Sequence, residues 1–184
     1  MELRVNSEEK YTYADYLTWD DDIRYELIDG IPYMMSAPNT AHQRISRRLI
    51  IEIGTYLKGK KCEVFAAPYD IRLNWDTKDD TVVQPDLVVY CDVDKIDKKG
   101  GKGAPDLVIE ILSPSSRKMD RAIKRSLYEK SKVREYWIID PENNEVDVFT
   151  LVNDMYKMTV YNEDVDIPVG IFEDFNISLS DVFE

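Results

Sequence analysis

The sequence predicts one domain of mixed α and β structure, closed by a C-terminal β-hairpin and an acidic tail. Three observations predict it. Asp29-Gly30 lies between two apolar runs, the pattern of a tight hairpin. Ile45, Leu49, Ile53 and Leu57 recur every four residues, the stripe of a long amphipathic helix. Residues 106–112 and 136–139 are almost wholly apolar, as strands buried on both faces read, and a basic helical stretch separates them. At 184 residues the chain fits a single domain, residues 1–184, with a polar lead over 1–10 and the hairpin and tail over 142–184.

The elements follow in order. Thr12 is a good N-cap for a short helix to Leu17, with Asp15 at its third position. Tyr25–Ile28 and Ile31–Met35 form the first hairpin. Pro38 and Asn39 open the long helix, which runs to Leu57 and ends at Gly59. Strands are expected at Cys62–Ala66, Tyr69–Asn74 and Asp86–Cys91. Residues 92–105, charged and rich in Gly and Lys, read as a loop, with a mobile stretch at Gly100-Gly101-Lys102-Gly103. Strand Asp106–Leu112 stops at Ser113-Pro114-Ser115-Ser116, which caps a helix over Arg117–Ser131. Tyr136–Ile139 is a strand closed by Asp140-Pro141. Val146–Val152 and Met155–Tyr161 turn about Asn153-Asp154, and the acidic tail runs from Pro168.

Composition excludes several classes. No run of about 18 apolar residues exists, so no membrane-spanning helix is expected. Met1–Lys10 is polar, so no secretory signal is expected and the cytoplasm is the expected address. Cys62 and Cys91 lie in apolar stretches and read as two buried, reduced thiols. One histidine and two cysteines cannot build a zinc finger, a zinc ribbon or a multi-histidine site. Any metal must be held mainly by carboxylates, which suit magnesium, manganese or calcium. A Ser–His–Asp triad would have to use His42, and no Gly-x-Ser-x-Gly elbow accompanies it. Gly100-Gly101-Lys102-Gly103 lacks the Gly-Lys-Ser/Thr ending of a P-loop.

The formal net charge is -12, but it is unevenly spread. The first 134 residues carry 23 groups of each sign, and the last 50 carry 13 acids against Lys157 alone. Two basic clusters stand out in the neutral part, one over residues 42–61 with Arg44, Arg47 and Arg48, the other over 117–134 with Arg121. Such clusters can track a phosphate backbone. They also fit two solvated helix faces.

The informative acids sit in apolar strands. A buried carboxylate costs several kcal/mol unless it is paired or binds metal. Glu110 interrupts Leu107-Val108-Ile109 and Ile111-Leu112, and Asp86 follows Pro85 at a strand entrance. Two acids on neighbouring strands can share one divalent ion; alternatively Glu110 pairs with a core arginine and Asp86 caps its strand. Asp120, Lys124 and Tyr128 are spaced by four along one helix face. A lysine there can offset negative charge developing on a substrate, or form an exposed pair with Asp120. Glu26 is a third acid in an apolar strand, with a weaker case, and His42 lies near the start of the long helix.

The ordered set resembles the PD-(D/E)xK nuclease superfamily, and within it the bacterial Uma2 (Uma-two) family of restriction-endonuclease-like proteins. The carriers are Tyr25-Glu26-Leu27-Ile28-Asp29-Gly30, His42, Gln84-Pro85-Asp86-Leu87, Glu110-Ile111-Leu112-Ser113-Pro114-Ser115-Ser116, Asp120, Lys124, Tyr128 and Glu135-Tyr136-Trp137-Ile138-Ile139-Asp140-Pro141. The resemblance implies a restriction-endonuclease-like mixed central sheet flanked by helices. It implies that Asp86 and Glu110, with the carbonyl of Ile111, hold Mg²⁺ or Mn²⁺, and that Lys124 serves catalysis. The superfamily lysine stands two residues after the Glu, where this chain has Leu112, so Lys124 would reach the site from the next helix. Glu26 would hold a second ion or orient water; His42, Asp120 and Tyr128 would support the site.

The expected function is metal-dependent hydrolysis of phosphodiester bonds, in DNA rather than RNA, with Arg44, Arg47, Arg48 and Arg121 along the backbone. The alternative is a catalytically inactive nuclease fold used for binding, as a homodimer. A third expectation has the acidic tail covering the basic helices.

Overall fold

The computed structural model describes residues 9–20, 22–162 and 165–184. Most of the polar lead Met1–Lys10, and with it the reading of a signal, lies outside the described residues. The elements are α1 (Tyr13–Tyr16), β1 (Tyr25–Ile28), β2 (Ile31–Met34), α2 (Thr40–Leu57), β3 (Glu63–Ala66), β4 (Ile71–Arg72), β5 (Val82–Val83) and β6 (Leu87–Tyr90). A 3₁₀ turn (Val93–Lys95), β7 (Ile96–Asp97), β8 (Gly100–Lys102) and β9 (Leu107–Ile111) follow. A π-helical segment (Met119–Lys124) then runs straight into α3 (Arg125–Lys130). The chain closes with β10 (Glu135–Asp140), β11 (Glu145–Val152), β12 (Met155–Asn162), β13 (Asp166–Pro168), β14 (Asn176–Ser178) and α4 (Leu179–Phe183).

The strands form two six-stranded sheets, β2-β1-β5-β4-β8-β7 and β12-β11-β10-β9-β6-β3, and a small β13-β14 pair. Both large sheets are mixed: β9 and β10 run parallel, as do β4 and β8, and the other pairs are antiparallel. The expected α/β class with a mixed central sheet and a C-terminal hairpin is what the chain forms.

Side chains alternate across a strand, so the central sheet has two faces to cover. Ile45, Leu49, Ile53 and Leu57 of α2 pack on Leu87, Val89, Leu107, Ile109 and Trp137. The tail seals the same face with Ile167, Ile177, Leu179 and Val182. Val88, Tyr90, Val108, Tyr136 and Ile138 point the other way, onto Tyr128 of α3 and onto Ile28, Ile71 and Val83 of the first sheet. Val108 and Glu110 share this second face, which is why an acid in β9 meets α3 rather than α2.

Local signals set the element ends. Thr12 and Asp15 form a reciprocal capping box on α1, and Asn39 accepts the His42 N–H at the start of α2. Asp29 and Gly30 both have positive φ, 50° and 78°, the backbone a two-residue hairpin requires.

Two expectations are corrected. Residues 92–105 are not all loop: β7 and β8 pair with each other, and β8, which holds Gly100-Gly101-Lys102, continues the first sheet alongside β4. Gly100 makes this possible. Its φ is +131°, and a Cβ there would lie 2.1 Å from the Asp70 carbonyl oxygen. Glycine count reads as flexibility in a sequence, but here it permits close strand approach. Nor are Cys62 and Cys91 reduced thiols: they form a disulfide. The register that pairs Glu63 with Tyr90 brings them together one step on, an adjacency hidden by a separation of 29 residues. The thiols therefore lend nothing to the cytoplasmic expectation. Among the described residues no helix is long and apolar enough to cross a membrane.

Gly100→Ala should destabilise the fold by about 1–3 kcal/mol or more, because backbone must shift to admit the methyl group. Gly54→Ala, on α2 with only an ordinary 3.9 Å contact, should be neutral or stabilising. Urea unfolding of the two variants checks this; a Gly100→Ala midpoint equal to wild type would contradict the close approach.

Candidate metal centre

The site forms where the chain crosses between sheets. β5 ends in the first sheet, Gln84 and Pro85 carry the crossing, and β6 begins in the second. Pro85 lacks an N–H, so a break in the ladder costs nothing there. The β6–β9 register pairs Leu87 with Ile109, and one further step sets Asp86 opposite Glu110. Asp86 Oδ2 accepts the Ile111 N–H at 2.7 Å, and His42 Nε2 lies 3.0 Å from the same oxygen. Glu26 comes from β1 of the other sheet and is fixed by the Gln84 N–H, which donates to its Oε1 at 2.9 Å.

Lys124 holds these pieces together. Its Nζ lies 2.8 Å from Glu110 Oε1, 2.8 Å from Glu26 Oε1 and 3.5 Å from Asp120 Oδ1. The Tyr128 hydroxyl donates to the same Glu110 oxygen at 3.0 Å. Every one of these side chains is at most 5% exposed, and Tyr128 is fully buried. The exposed Asp120–Lys124 pair and the core arginine on Glu110 are thereby excluded; the partner of Glu110 is a buried lysine. Breaking such a buried group by removing one member costs about 3–5 kcal/mol.

Electrostatics reflect the crowding. Burial first, then Asp120, Asp86 and Glu26, push the Glu110 carboxyl well above its usual range, against the pull of Lys124. Burial also raises Asp120. Burial alone would lower the Lys124 ammonium, but Glu110, Glu26 and Asp120 outweigh it and hold it well above its usual value. Three acids thus share one lysine, with Asp86 close enough to Glu110 to add to the crowding.

These groups line the floor of a cleft of about 220 Å³ together with His42 and Ile111; its rim includes Arg24, Tyr33, Met34 and Ser115. The donors fit a hard divalent cation. All are oxygens, and no hydrogen bond from a described residue reaches Asp86 Oδ1 or Glu110 Oε2. No cage of three or more His, Cys, Asp or Glu side chains exists among the described residues. Magnesium is commonly held by one or two carboxylates, with water and substrate oxygens completing its shell.

The four arginines separate. Arg44 and Arg47 are exposed on α2. Arg48 instead donates to the Val182 carbonyl at 3.1 Å. Arg121 is also diverted: it pairs with Asp147 and, at 3.5 Å, with Asp140. Beside it Arg117 bonds Asp140 and Glu142. Arg117 and Arg121 of the second basic cluster are thus taken up by acids of β10, the turn after it and β11, all placed before the tail. Sequence reasoning missed Arg24 and the side chain of Gln84. Gln84 Oε1 accepts from Arg24 while its Nε2 donates to Asp70 and Tyr16, which braces the crossing. Its position next to Pro85-Asp86 was the only signal.

The fold is that of a nuclease-like α/β protein. A crystal structure described as a putative nuclease belonging to DUF820 from Anabaena variabilis superposes with a TM-score of 0.76 at 22% identity, covering 94% of this chain and 97% of that one. The model of the Uma2 family, described as "Putative restriction endonuclease", matches residues 13–180, and the chain belongs to that family. It is also 31% identical over 145 residues to the uncharacterised protein slr1290 of Synechocystis sp., covering 76% of this chain and 74% of that protein.

Asp140 offers a pH-dependent test of the arginine network. Burial alone would raise its carboxyl, but bonds from Arg117, Asn143 and the Glu142 N–H hold it down at about 2. A carboxyl held lower in the fold contributes stability above its ordinary pKa of about 3.9 and loses it as pH falls towards 2. Asp140→Asn should cost about 2 kcal/mol near neutral pH. The gap from wild type should narrow steadily below about pH 4 in urea unfolding; a gap independent of pH would contradict it.

Proposed function

We propose that this protein is a Mg²⁺- or Mn²⁺-dependent phosphodiesterase acting on nucleic acid, DNA in preference to RNA. The observation that carries the reading is the pair of carboxylates, Asp86 and Glu110, set opposite each other on paired strands at the floor of a cleft, with a lysine on Glu110. Asp86, Glu110 and the carbonyl of Ile111 would hold the ion. When bound, such an ion acidifies a water and polarises the phosphate.

The chain's own groups do the rest. His42 and the Ile111 N–H fix Asp86 Oδ2 and leave its other oxygen to the cleft. Tyr128 and Lys124 do the same for Glu110. The Lys124 ammonium, which lines the cleft, offsets negative charge building on the phosphate. Here Leu112 stands where the PD-(D/E)xK pattern has its lysine, and Lys124 supplies the amine from the π-helical segment; π-turns inside helices often mark functional sites. Glu26 and Asp120 hold that amine in place. Arg44 and Arg47 remain for the phosphate backbone, since Arg48 and Arg121 are engaged elsewhere. The preference for DNA rests on the family description and on the superfamily pattern.

A second reading, a nuclease fold kept for binding, has one observation in its favour: the lysine sits on the acid that would hold the ion. Calorimetric titration with Mn²⁺ separates the two. Saturable binding should vanish in Asp86→Asn and in Glu110→Gln, and His42→Ala should weaken it about 10–100-fold, as loss of a supporting partner does. Cleavage of plasmid DNA should follow the same order. An Asp86→Asn variant that binds and cleaves like wild type would overturn the reading.

A further inference from the structure

We infer that Lys124 is a built-in counter-ion that a divalent cation displaces from Glu110, so that loading the site and releasing the amine into the cleft are one event. This rests on the metal reading above and specifies how that site is regulated. Glu110 Oε1 already accepts from Lys124 and from Tyr128, so an ion that draws on both oxygens of this carboxylate competes with the ammonium for Oε1. Glu26 and Asp120 stay with the amine and give it somewhere to remain. Asp120 Oδ1 is ready for it: buried, with no hydrogen-bond partner, and 3.5 Å from Nζ.

The charge count favours exchange over coexistence without rearrangement. Three acids, Glu26, Glu110 and Asp120, face one ammonium with side chains at most 5% exposed, and Asp86 stands opposite Glu110. The lysine holds the acids together in the absence of metal, and the ion brings a second positive charge to share among them. Among the described residues, Glu26, Glu110 and Asp120 surround the ammonium rather than an open point. On this account the amine is held away from substrate until the ion arrives, and the same displacement that completes the metal shell frees the group that meets the phosphate.

Competition for Glu110 is a coupling between two ligands of one group, and such couplings are reciprocal and amount to about 5–150-fold in affinity. Lys124→Met should therefore bind Mn²⁺ more tightly than wild type, within that range, in a calorimetric titration of the full chain. Equal or weaker binding by Lys124→Met would overturn the inference while leaving the metal reading standing. No saturable binding by either protein would overturn both. Loss of the ammonium loosens the acid cluster, so a second measurement uses the unaltered protein. Acetic anhydride labelling read by mass spectrometry should leave Lys124 unmodified without metal and modify it severalfold faster with saturating Mn²⁺. The exposed Lys58 and Lys61 should label alike in both conditions. Lys124 labelling that is unchanged or slower with Mn²⁺ would overturn the displacement.

Discussion

The buried ammonium of Lys124, between Glu26 and Glu110, is the interaction on which the site depends. It joins the two large sheets, because Glu26 comes from one and Glu110 from the other. It also anchors the π-helical segment to both. Bringing three carboxylates together away from water is unfavourable unless a cation accompanies them. The chain supplies one cation where the acids could use more positive charge. That imbalance, rather than any single ligand, is the ground for proposing chemistry in this cleft.

The scaffold explains why the acids meet. A proline crossing carries the chain from β5 to β6 and sets Asp86 at the first position of a new ladder. Antiparallel register then places Glu110 across from it, and period-two alternation turns Glu110 towards α3. The opposite face of the same sheet is filled with hydrocarbon from α2 and the tail. The hairpin of β11 and β12 has a separate electrostatic role. Its acids and those just before it take up Arg117 and Arg121, which fixes the helix that carries Lys124. The concentration of negative charge in the last 50 residues is therefore partly internal pairing.

Much of this was legible in the sequence, for identifiable reasons. The hairpin at Asp29-Gly30, the stripe of α2 and the apolar strands β9 and β10 each follow from local rules of turn chemistry and periodicity. Glu110 and Asp86 stood out because an acid in an apolar strand has no folding reason to be there. What sequence could not supply was adjacency between distant segments. The Cys62–Cys91 bond, the pairing of Arg121 with Asp147 and the approach of Gly100 to Asp70 all depend on strand register. β5, only two residues long, is too short to show a period, and it was missed; its register nevertheless places Gln84 beside Glu26. The three partners of Lys124 are likewise a tertiary fact: the spacing of four suggested Asp120, but nothing local suggested Glu26.

The most direct test is a crystal structure of the protein grown with saturating Mn²⁺ and phased to reveal anomalous scattering. The account predicts one anomalous peak within coordination distance of both Asp86 and Glu110, with the Lys124 amine moved off Glu110 and still on Glu26 or Asp120. Lys124 unmoved on Glu110, with no peak between the two carboxylates, would contradict it.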